Sequence, residues 1–116
     1  MQNLEQLRAK NAREPAKGLD RSAVNKLPAM IMANGLLATA AFCQAEGGGD
    51  SRSQMKEALD ATAEHLAKRR LIAPDKTTVN GLIESLVSQD SHQLQRATTE
   101  ALAFLAYLKR FAPKKD

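Results

Sequence analysis

The residues in this sequence whose types and spacing could do chemistry are clustered cations. One cluster is a run of three at the end of a predicted helix, and the other precedes the longest uncharged stretch of the chain. Cations in the last turn of a helix are stabilised by the helix dipole, which explains the first cluster without any ligand. The same groups fit a phosphate backbone, which basic side chains contact without reading its sequence. The six candidate phosphate-contacting residues are Lys17, Arg21, Lys26, Lys68, Arg69 and Arg70.

The net charge of +4 is unevenly distributed along the 116 residues. Residues 1–26 contain six basic and three acidic residues, and residues 109–116 contain four basic residues and one acidic residue. Between them lie seven basic and nine acidic residues. Because chain termini often lie close together, we expect the two basic ends to form one surface. An ordinary solvated face explains the charge equally well.

Residue types that could do other chemistry lack the partners they require. His65 and His92 have no second histidine, cysteine or carboxylate at ligand spacing, so no metal site is predicted. Cys43 lies in an apolar stretch and is predicted to be a small core residue. Asp60 and Glu64 alternate with lysines, as on a solvated helix face. We therefore expect neither an enzyme nor a cofactor, and aromatic residues at 3% are too few for a platform that stacks bases.

The stretch from Lys26 to Cys43 is predicted to be the central helix, within a helical span of about residues 22–46. Its apolar residues follow helical spacing around most of the circumference, so we expect other helices to cover it on most sides. Gly35 would lie in the helix interior and in the core with Leu36 and Phe104, where it allows close packing. The stretch is too rich in alanine and polar residues for a membrane span, and the N-terminus carries no signal-peptide pattern. A cytoplasmic location is therefore predicted.

Two segments flank this central stretch. Residues 2 to 14 form a thinly apolar helix that ends at Pro15 and is expected to lie on the surface or on a partner. Asp20 or Ser22 is expected to cap the segment that leads into the central helix. Residues 46–50, which include three consecutive glycines, are predicted to be a flexible loop, since the Gly-Lys-Ser/Thr ending of a phosphate-binding loop is absent.

Three further helices follow in the second half of the chain. The first is predicted at about 51–71, opened by a capping box of Ser51 and Gln54. The second is predicted at residues 79–87, opened by Thr77 or Thr78, and the last begins after Asp90. No segment alternates with a period of two residues. The sequence therefore predicts an all-α, compact single-domain bundle (1–116) of about five to six helices around the central one.

Two stretches of the chain carry a family resemblance. The first is KLPAMIMANGLLATAAFC (Lys26–Cys43), and the second is RATTEALAFLAYLKRFAPK (Arg96–Lys114). Together they resemble the small subunit, numbered fifth, of the Cmr module of type III-B CRISPR effector complexes. The leucine–proline pair at Leu27, the Asn34-Gly35-Leu36 triplet and the series from Glu100 to Phe111 carry the resemblance. Residues 47–90 fit by helix count alone.

This resemblance implies a compact helical subunit without catalytic activity. Several copies would stack as a minor filament beside the backbone subunits and would contact the guide–target RNA independently of its sequence. Its partners would be the backbone subunit, the large signalling subunit, copies of itself, the CRISPR RNA and the target RNA. RNA cleavage would belong to a backbone subunit. The family motif does not fix the six RNA-facing cations, which charge clustering alone indicates.

Two other functions are compatible with the sequence. The first is a helical adaptor that binds only protein and makes no direct contact with RNA, so its cations would not be needed to retain RNA. A small DNA-binding regulator would use residues 79–87 and 94–111 as helix-turn-helix arms. Against the regulator, the would-be recognition helix has only Arg96 among its first exposed residues, too few contacts to read bases.

Overall fold

The fold, taken from a computed structural model, is described for residues 3–45 and 47–114. Seven helices make up this part of the chain, and it contains no β-strand. The helices are α1 (Leu4–Ala16), α2 (Arg21–Val24), α3 (Lys26–Asn34), α4 (Leu36–Gln44), α5 (Gly49–Lys68), α6 (Val79–Ser88) and α7 (Ser91–Phe111). The predicted all-α class is confirmed. Among the described residues, no helix combines the length and the apolar character needed to cross a bilayer.

Polar side chains fix the starts of four helices. Asn3 and Gln6 form a capping box at α1, in which each side chain bonds the other residue's backbone amide. The side chains of Asp20, Thr78 and Asp90 accept hydrogen bonds from first-turn amides of α2, α6 and α7. These caps satisfy amides that have no partner inside the helix, and removing one costs about 1 kcal/mol. The predicted starts at Asp20, Thr78 and Asp90 are confirmed.

The two long helices, α5 and α7, each bury more residues than any other helix. Nine residues of α5 and six of α7 are buried, against two in α3 and four in α4. The largest fully buried side chain is that of Phe104 in α7. Helices α1, α2 and α3 pack against α7, whereas α4 and α6 pack against each other and against α5. The centre of the molecule is therefore the α5–α7 pair.

The prediction of one continuous central helix over 22–46 is wrong. The chain leaves helical geometry at Gly35, which has φ 93° and ψ 158°, and α3 ends there while α4 begins. Gly35 is exposed and not in the core, although Leu36 and Phe104 are buried as predicted. The stretch is also covered on one side only, since Met32 is 78% and Phe42 43% exposed. The apolar residues keep helical spacing in the sequence on both sides of Gly35. Their pattern therefore could not indicate that the helix ends there.

The Gly35 break is stabilised locally. The Gly35 amide donates to the carbonyl of Ile31 at 2.7 Å, which closes α3. The Gly35 carbonyl accepts from the Thr39 amide at 3.1 Å and from the Thr39 hydroxyl at 2.8 Å, which opens α4. Glycine reaches this conformation because it lacks a Cβ atom, whereas other residues are strained there.

The predicted capping box at Ser51 and Gln54 is also wrong. Helix α5 begins at Gly49 after Gly48, so both residues lie inside its first turns. Their side chains bond the preceding segment instead: Gln54 Oε1 accepts from the Asp20 amide, and Ser51 Oγ accepts from Lys26 Nζ, both at 2.8 Å. Of the predicted loop 46–50, the structure places Gly49 and Asp50 in α5, and Glu46 lies outside the described residues.

Helix α1 continues one residue beyond Pro15, to Ala16. It packs against α7 and α5 of its own chain, and Ala12 and Ala16 are fully buried there. Pro15 cannot donate to the carbonyl four residues earlier, and the helix ends one residue after it. The thin apolar face of this helix is therefore covered largely by the protein itself.

Candidate nucleic-acid interface

A buried carboxylate, Glu100 of α7, joins three helices beneath the candidate interface. Both of its oxygens accept hydrogen bonds at 2.8 Å from the guanidinium of Arg8 in α1. One oxygen also lies 2.9 Å from Nε2 of His65 in α5. The Glu100 side chain is 6% exposed, and two parallel bonds from one guanidinium are a strong way to hold such a charge.

His65 is held on every side. Its Nδ1 lies 2.9 Å from the Asn11 side-chain nitrogen, which donates to it, so the ring's own proton is assigned to Nε2, facing Glu100. The ring stacks on Phe104 with centroids 4.5 Å apart. Burial lowers the pKa of His65, while the hydrogen bond to Glu100 opposes that shift. The imidazole is therefore neutral at pH 7 and acts as a bridge between helices.

The pKa of Glu100 is lowered by its partners. Burial alone would raise this pKa, but the hydrogen bonds from Arg8 and His65 together outweigh burial. The carboxylate is thus ionised throughout the neutral range. His65 does have a carboxylate partner, but it lies 35 residues away in sequence, where local ligand spacing could not indicate it. The described residues contain no group of three or more side chains able to hold a metal ion.

Cys43 behaves as the core residue that the sequence predicted. Its side chain is 2% exposed, and burial raises the pKa of its thiol to about 11. A thiol in that state is protonated at neutral pH and is a poor nucleophile.

A groove lies above Glu100, between the end of α5 and the first turns of α7. Its volume is about 370 Å³. The guanidinium of Arg69 stands 3.9 Å from Glu100 on one side of it, and Arg96 stands on the other. The lining is completed by Leu71, His92, Gln95 and Thr99. We call this the α5–α7 groove.

A second depression of about 330 Å³ adjoins the first and shares Arg69 with it. Leu7, Lys10 and Asn11 of α1 line one side, and Lys68 and Arg69 line the other. No acidic residue is among those that line it in the described part of the chain. We call it the α1–α5 depression, and its three cations give it a positive charge.

The structure brings only some of the six predicted cations together. Lys68 and Arg69 meet in the α1–α5 depression. Arg70 follows them, exposed, in a left-handed conformation with φ 59°. Lys68 lies 3.5 Å from Glu64 in a pair whose two side chains are each 56% exposed, an arrangement that contributes little to stability.

Arg21 lies apart from this group, at the other end of α7. Its Nε donates to the carbonyl of Ala112 at 3.1 Å, and its backbone amide donates to Pro113 at 3.0 Å. Lys109 and Arg110 line a depression with it. The N-terminal and C-terminal basic segments therefore do meet at Arg21, where the guanidinium also holds residues 110–112 against α2.

Lys17 and Lys26 each lie among carboxylates. Lys17 Nζ is 2.7 Å from Glu14 in an exposed pair. Lys26 donates to Ser51 and lines a depression together with Asp20 and Asp50. Two carboxylates against one ammonium make that depression unfavourable for an anion.

Sequence reasoning missed Lys10 as a member of the candidate interface, and it weighed Arg96 only as a contact to DNA bases. Both are exposed, and neither has a charged residue next to it in the sequence, unlike residues 68–70. Their association with Arg69 comes from the packing of α1 and α7 against the end of α5. Nothing local in the sequence could have indicated it.

The fold and these depressions define a small helical protein with a cationic surface and a buried structural ion network. A family model described as CRISPR-associated protein (Cas_Cmr5) matches residues 2–114. The chain belongs to this family, and it is thus a small subunit of a type III-B CRISPR Cmr complex that associates with other Cmr subunits. Comparison with curated proteins and with solved structures finds no significant match.

Proposed function

We propose that this protein is a non-catalytic subunit that stacks in several copies as a minor filament of the Cmr ribonucleoprotein. In this role it contacts the guide–target RNA without reading bases, as part of cytoplasmic antiviral defence. Its partners are the backbone subunit, the large signalling subunit and neighbouring copies of itself. The observation that carries the proposal is the family match over residues 2–114.

Cationic surfaces support the contact with RNA. In RNA-guided complexes base pairing reads the sequence, so a protein subunit needs only to contact the backbone. Arg69, Lys68 and Lys10 line one depression, and Arg21, Lys109 and Arg110 line another, with no acidic residue among the described lining of either. The six cations predicted from the sequence are the candidates from which these contacts are drawn. A net charge of +4 suits several weakly binding copies in a row better than one tight binder.

The non-catalytic role is supported by the state of the acid–base groups. His65 and Glu100 form the closest histidine–carboxylate pair of the described residues, and both are buried. Asn11 and Arg8 occupy their remaining hydrogen-bonding atoms. A general acid or base must reach the proton of a substrate, and the polar atoms of this pair are already bonded within the protein.

The decisive experiment is gentle affinity purification of the tagged protein from its native host. Native mass spectrometry would count the copies, and sequencing would identify the bound RNA. We expect a large ribonucleoprotein that carries repeat-derived guide RNAs and more than one copy of this chain. Recovery of a free monomer or dimer without RNA, under conditions that preserve other ribonucleoproteins, would contradict the proposal.

Binding of RNA by the isolated protein provides a second test. Phosphate contacts release counterions, so the affinity for single-stranded RNA should be weak and should fall steeply between about 50 and 200 mM salt. An affinity that barely changes over this range would contradict the contact with phosphates. Assembly without any RNA contact would instead identify a protein-only adaptor.

A further inference from the structure

The cations of this protein differ in how many hydrogen bonds and ion pairs they already make with other residues of the chain. Arg21 donates to a backbone carbonyl at the chain's end, and Lys26 lies beside two carboxylates. Arg8 makes both of its short bonds to Glu100. If Arg8 or Arg21 turned to a ligand, its present acceptor in the protein would lose a hydrogen bond. A ligand bound by Lys26 would lie near two carboxylates.

Arg69 is held much less firmly. It stands 3.9 Å from Glu100, whose oxygens already accept from Arg8 and His65 at 2.8 to 2.9 Å. Its Nε is buried and has no hydrogen-bond partner among the described residues. An unpaired buried donor is unfavourable, so a side-chain rotation that gives this guanidinium a new acceptor gains bonds. Glu100 would lose only its most distant partner.

The position of Arg69 connects two depressions that both carry positive charge. On one side it faces Lys10 and Lys68 in the α1–α5 depression. On the other side it faces Arg96 in the α5–α7 groove, where Gln95 and Thr99 add polar hydrogen-bonding groups. The one carboxylate in the groove, Glu100, is neutralised from below by Arg8. A line of four cations thus crosses the surface formed by α1, the end of α5 and the start of α7.

This line has a defined end on the α1 side. There Lys10 and Lys68 also line a depression that contains Glu14 and Glu64. The Lys68–Glu64 pair is exposed and weak, so Lys68 stays available to a ligand. At the far end of α7, Arg110 is separated from Arg96 by 14 residues, or about 21 Å along the helix axis. The basic surface around Arg21 and Arg110 is therefore distinct from the line of four.

We propose that Lys10, Lys68, Arg69 and Arg96, here called the Arg69 track, hold consecutive phosphates of one RNA strand, with Arg69 turning from Glu100 onto a phosphate. This inference rests on the proposed function and limits which cations contact the RNA, because Lys17, Arg21 and Lys26 are not among them. It assigns roles to two residues that the charge clusters of the sequence did not indicate. The bases take no part, since the track offers charge along a line and no row of aromatic rings.

Two charge-matched double variants test the location. Lys10→Glu/Arg96→Glu changes the ends of the Arg69 track, and Lys17→Glu/Lys26→Glu changes two exposed lysines outside it. Each pair lowers the net charge of +4 to zero, so a difference between them reports position and not total charge. Affinity is measured by fluorescence anisotropy with a short labelled single-stranded RNA of mixed sequence, between about 50 and 200 mM salt.

We expect Lys10→Glu/Arg96→Glu to weaken RNA binding at least tenfold. The plot of log affinity against log salt should become less steep by about 1.4, which corresponds to two lost phosphate contacts on a single strand. Lys17→Glu/Lys26→Glu should change the affinity less than threefold. Equal losses of affinity in both variants, or a larger loss in the second, would contradict the Arg69 track. The proposal that the protein contacts RNA would still stand. No salt-dependent binding by the unmodified protein would instead contradict the proposed RNA contact itself.

Two further measurements keep the test decisive. Circular dichroism and urea unfolding establish that each variant is folded, and Arg96→Gln and Lys26→Gln serve as a milder matched pair if charge reversal disturbs the fold. Poly-glutamate is the second probe. If it binds through Lys10 and Arg96 while RNA does not, the track belongs to an acidic protein partner and the inference is wrong.

Discussion

Helix α1 and the α3–α4 pair both pack on the outside of the α5–α7 core, yet they are held by opposite means. Helix α1 buries only two alanines completely, and polar bonds from Arg8 and Asn11 reach into the core to Glu100 and His65. Helices α3 and α4 bury apolar side chains such as Leu27 and Leu36. Apolar contacts are non-directional, whereas hydrogen bonds to a buried charge require one geometry. The first region should therefore be far more sensitive to charge and pH than the second.

The largest effect is expected from Glu100→Gln, which removes the charge at the centre of the network. Arg8 loses its ionic partner, and one carboxylate oxygen is replaced by an NH2 group that cannot accept a hydrogen bond. Breaking a buried pair costs about 3 to 5 kcal/mol. The free energy of unfolding, measured with urea, should fall by this amount. Glu84→Gln is the matched control, because its pair with Lys76 is 56% exposed on the glutamate side and should change stability by less than about 0.5 kcal/mol. Similar losses in both variants would contradict a special role for the buried network.

Leu36→Ala is the corresponding change in the apolar region. The side chain is 1% exposed, and its truncation leaves a cavity that costs about 3 kcal/mol. This loss should be the same at pH 7.5 and 5.5, because no ionisable partner is involved. Met32→Ala, at a side chain that is 78% exposed, is the control and should lie within about 0.5 kcal/mol of the unmodified protein. A loss of stability for Leu36→Ala that depends on pH would contradict the expected difference in pH sensitivity between α1 and the α3–α4 pair.

Gly35→Ala separates a broken helix from a continuous one by the sign of its effect. At φ 93° and ψ 158° an alanine is strained by about 1 to 3 kcal/mol, although its Cβ would meet no atom within 4 Å. In an uninterrupted helix the same substitution would stabilise by about 1 kcal/mol. We expect a lower urea midpoint. A higher midpoint would show that α3 and α4 form one helix in solution.

Sequence patterns predicted the elements that have local signals. Polar caps at Asp20, Thr78 and Asp90 marked helix starts correctly because a cap acts within three residues of its own position. The break at Gly35 was missed because a glycine inside an apolar helical pattern is compatible with both close packing and a change of direction.

The charge clusters of the sequence indicated part of the candidate interface. Lys68 and Arg69 were found because adjacent cations are visible in the sequence. Lys10 and Arg96 were not, since they join Arg69 only through the packing of three helices. The same holds for the network beneath, in which Arg8 and Glu100 are 92 residues apart. Long-range pairing of polar groups leaves no periodicity, so no single segment could reveal it.

The smallest effect is a pH dependence that belongs to the α1 region. Burial holds the pKa of His65 below its ordinary value of 6.5 in the folded protein, so on acidification the unfolded chain takes up a proton before the folded one does. Stability should therefore fall as the pH drops below about 6.5, by at most about 1.4 kcal/mol per pH unit. Glu100, whose pKa is lowered from 4.5, adds a loss in the same direction only at more acidic pH. Urea midpoints are measured at pH 7.5, 6.5 and 5.5 for the unmodified protein and for His65→Gln, which has no imidazole to titrate. The difference between the two gives the contribution of His65. A slope that survives unchanged in His65→Gln would assign the dependence to other groups and remove the contrast in pH sensitivity between α1 and α3–α4.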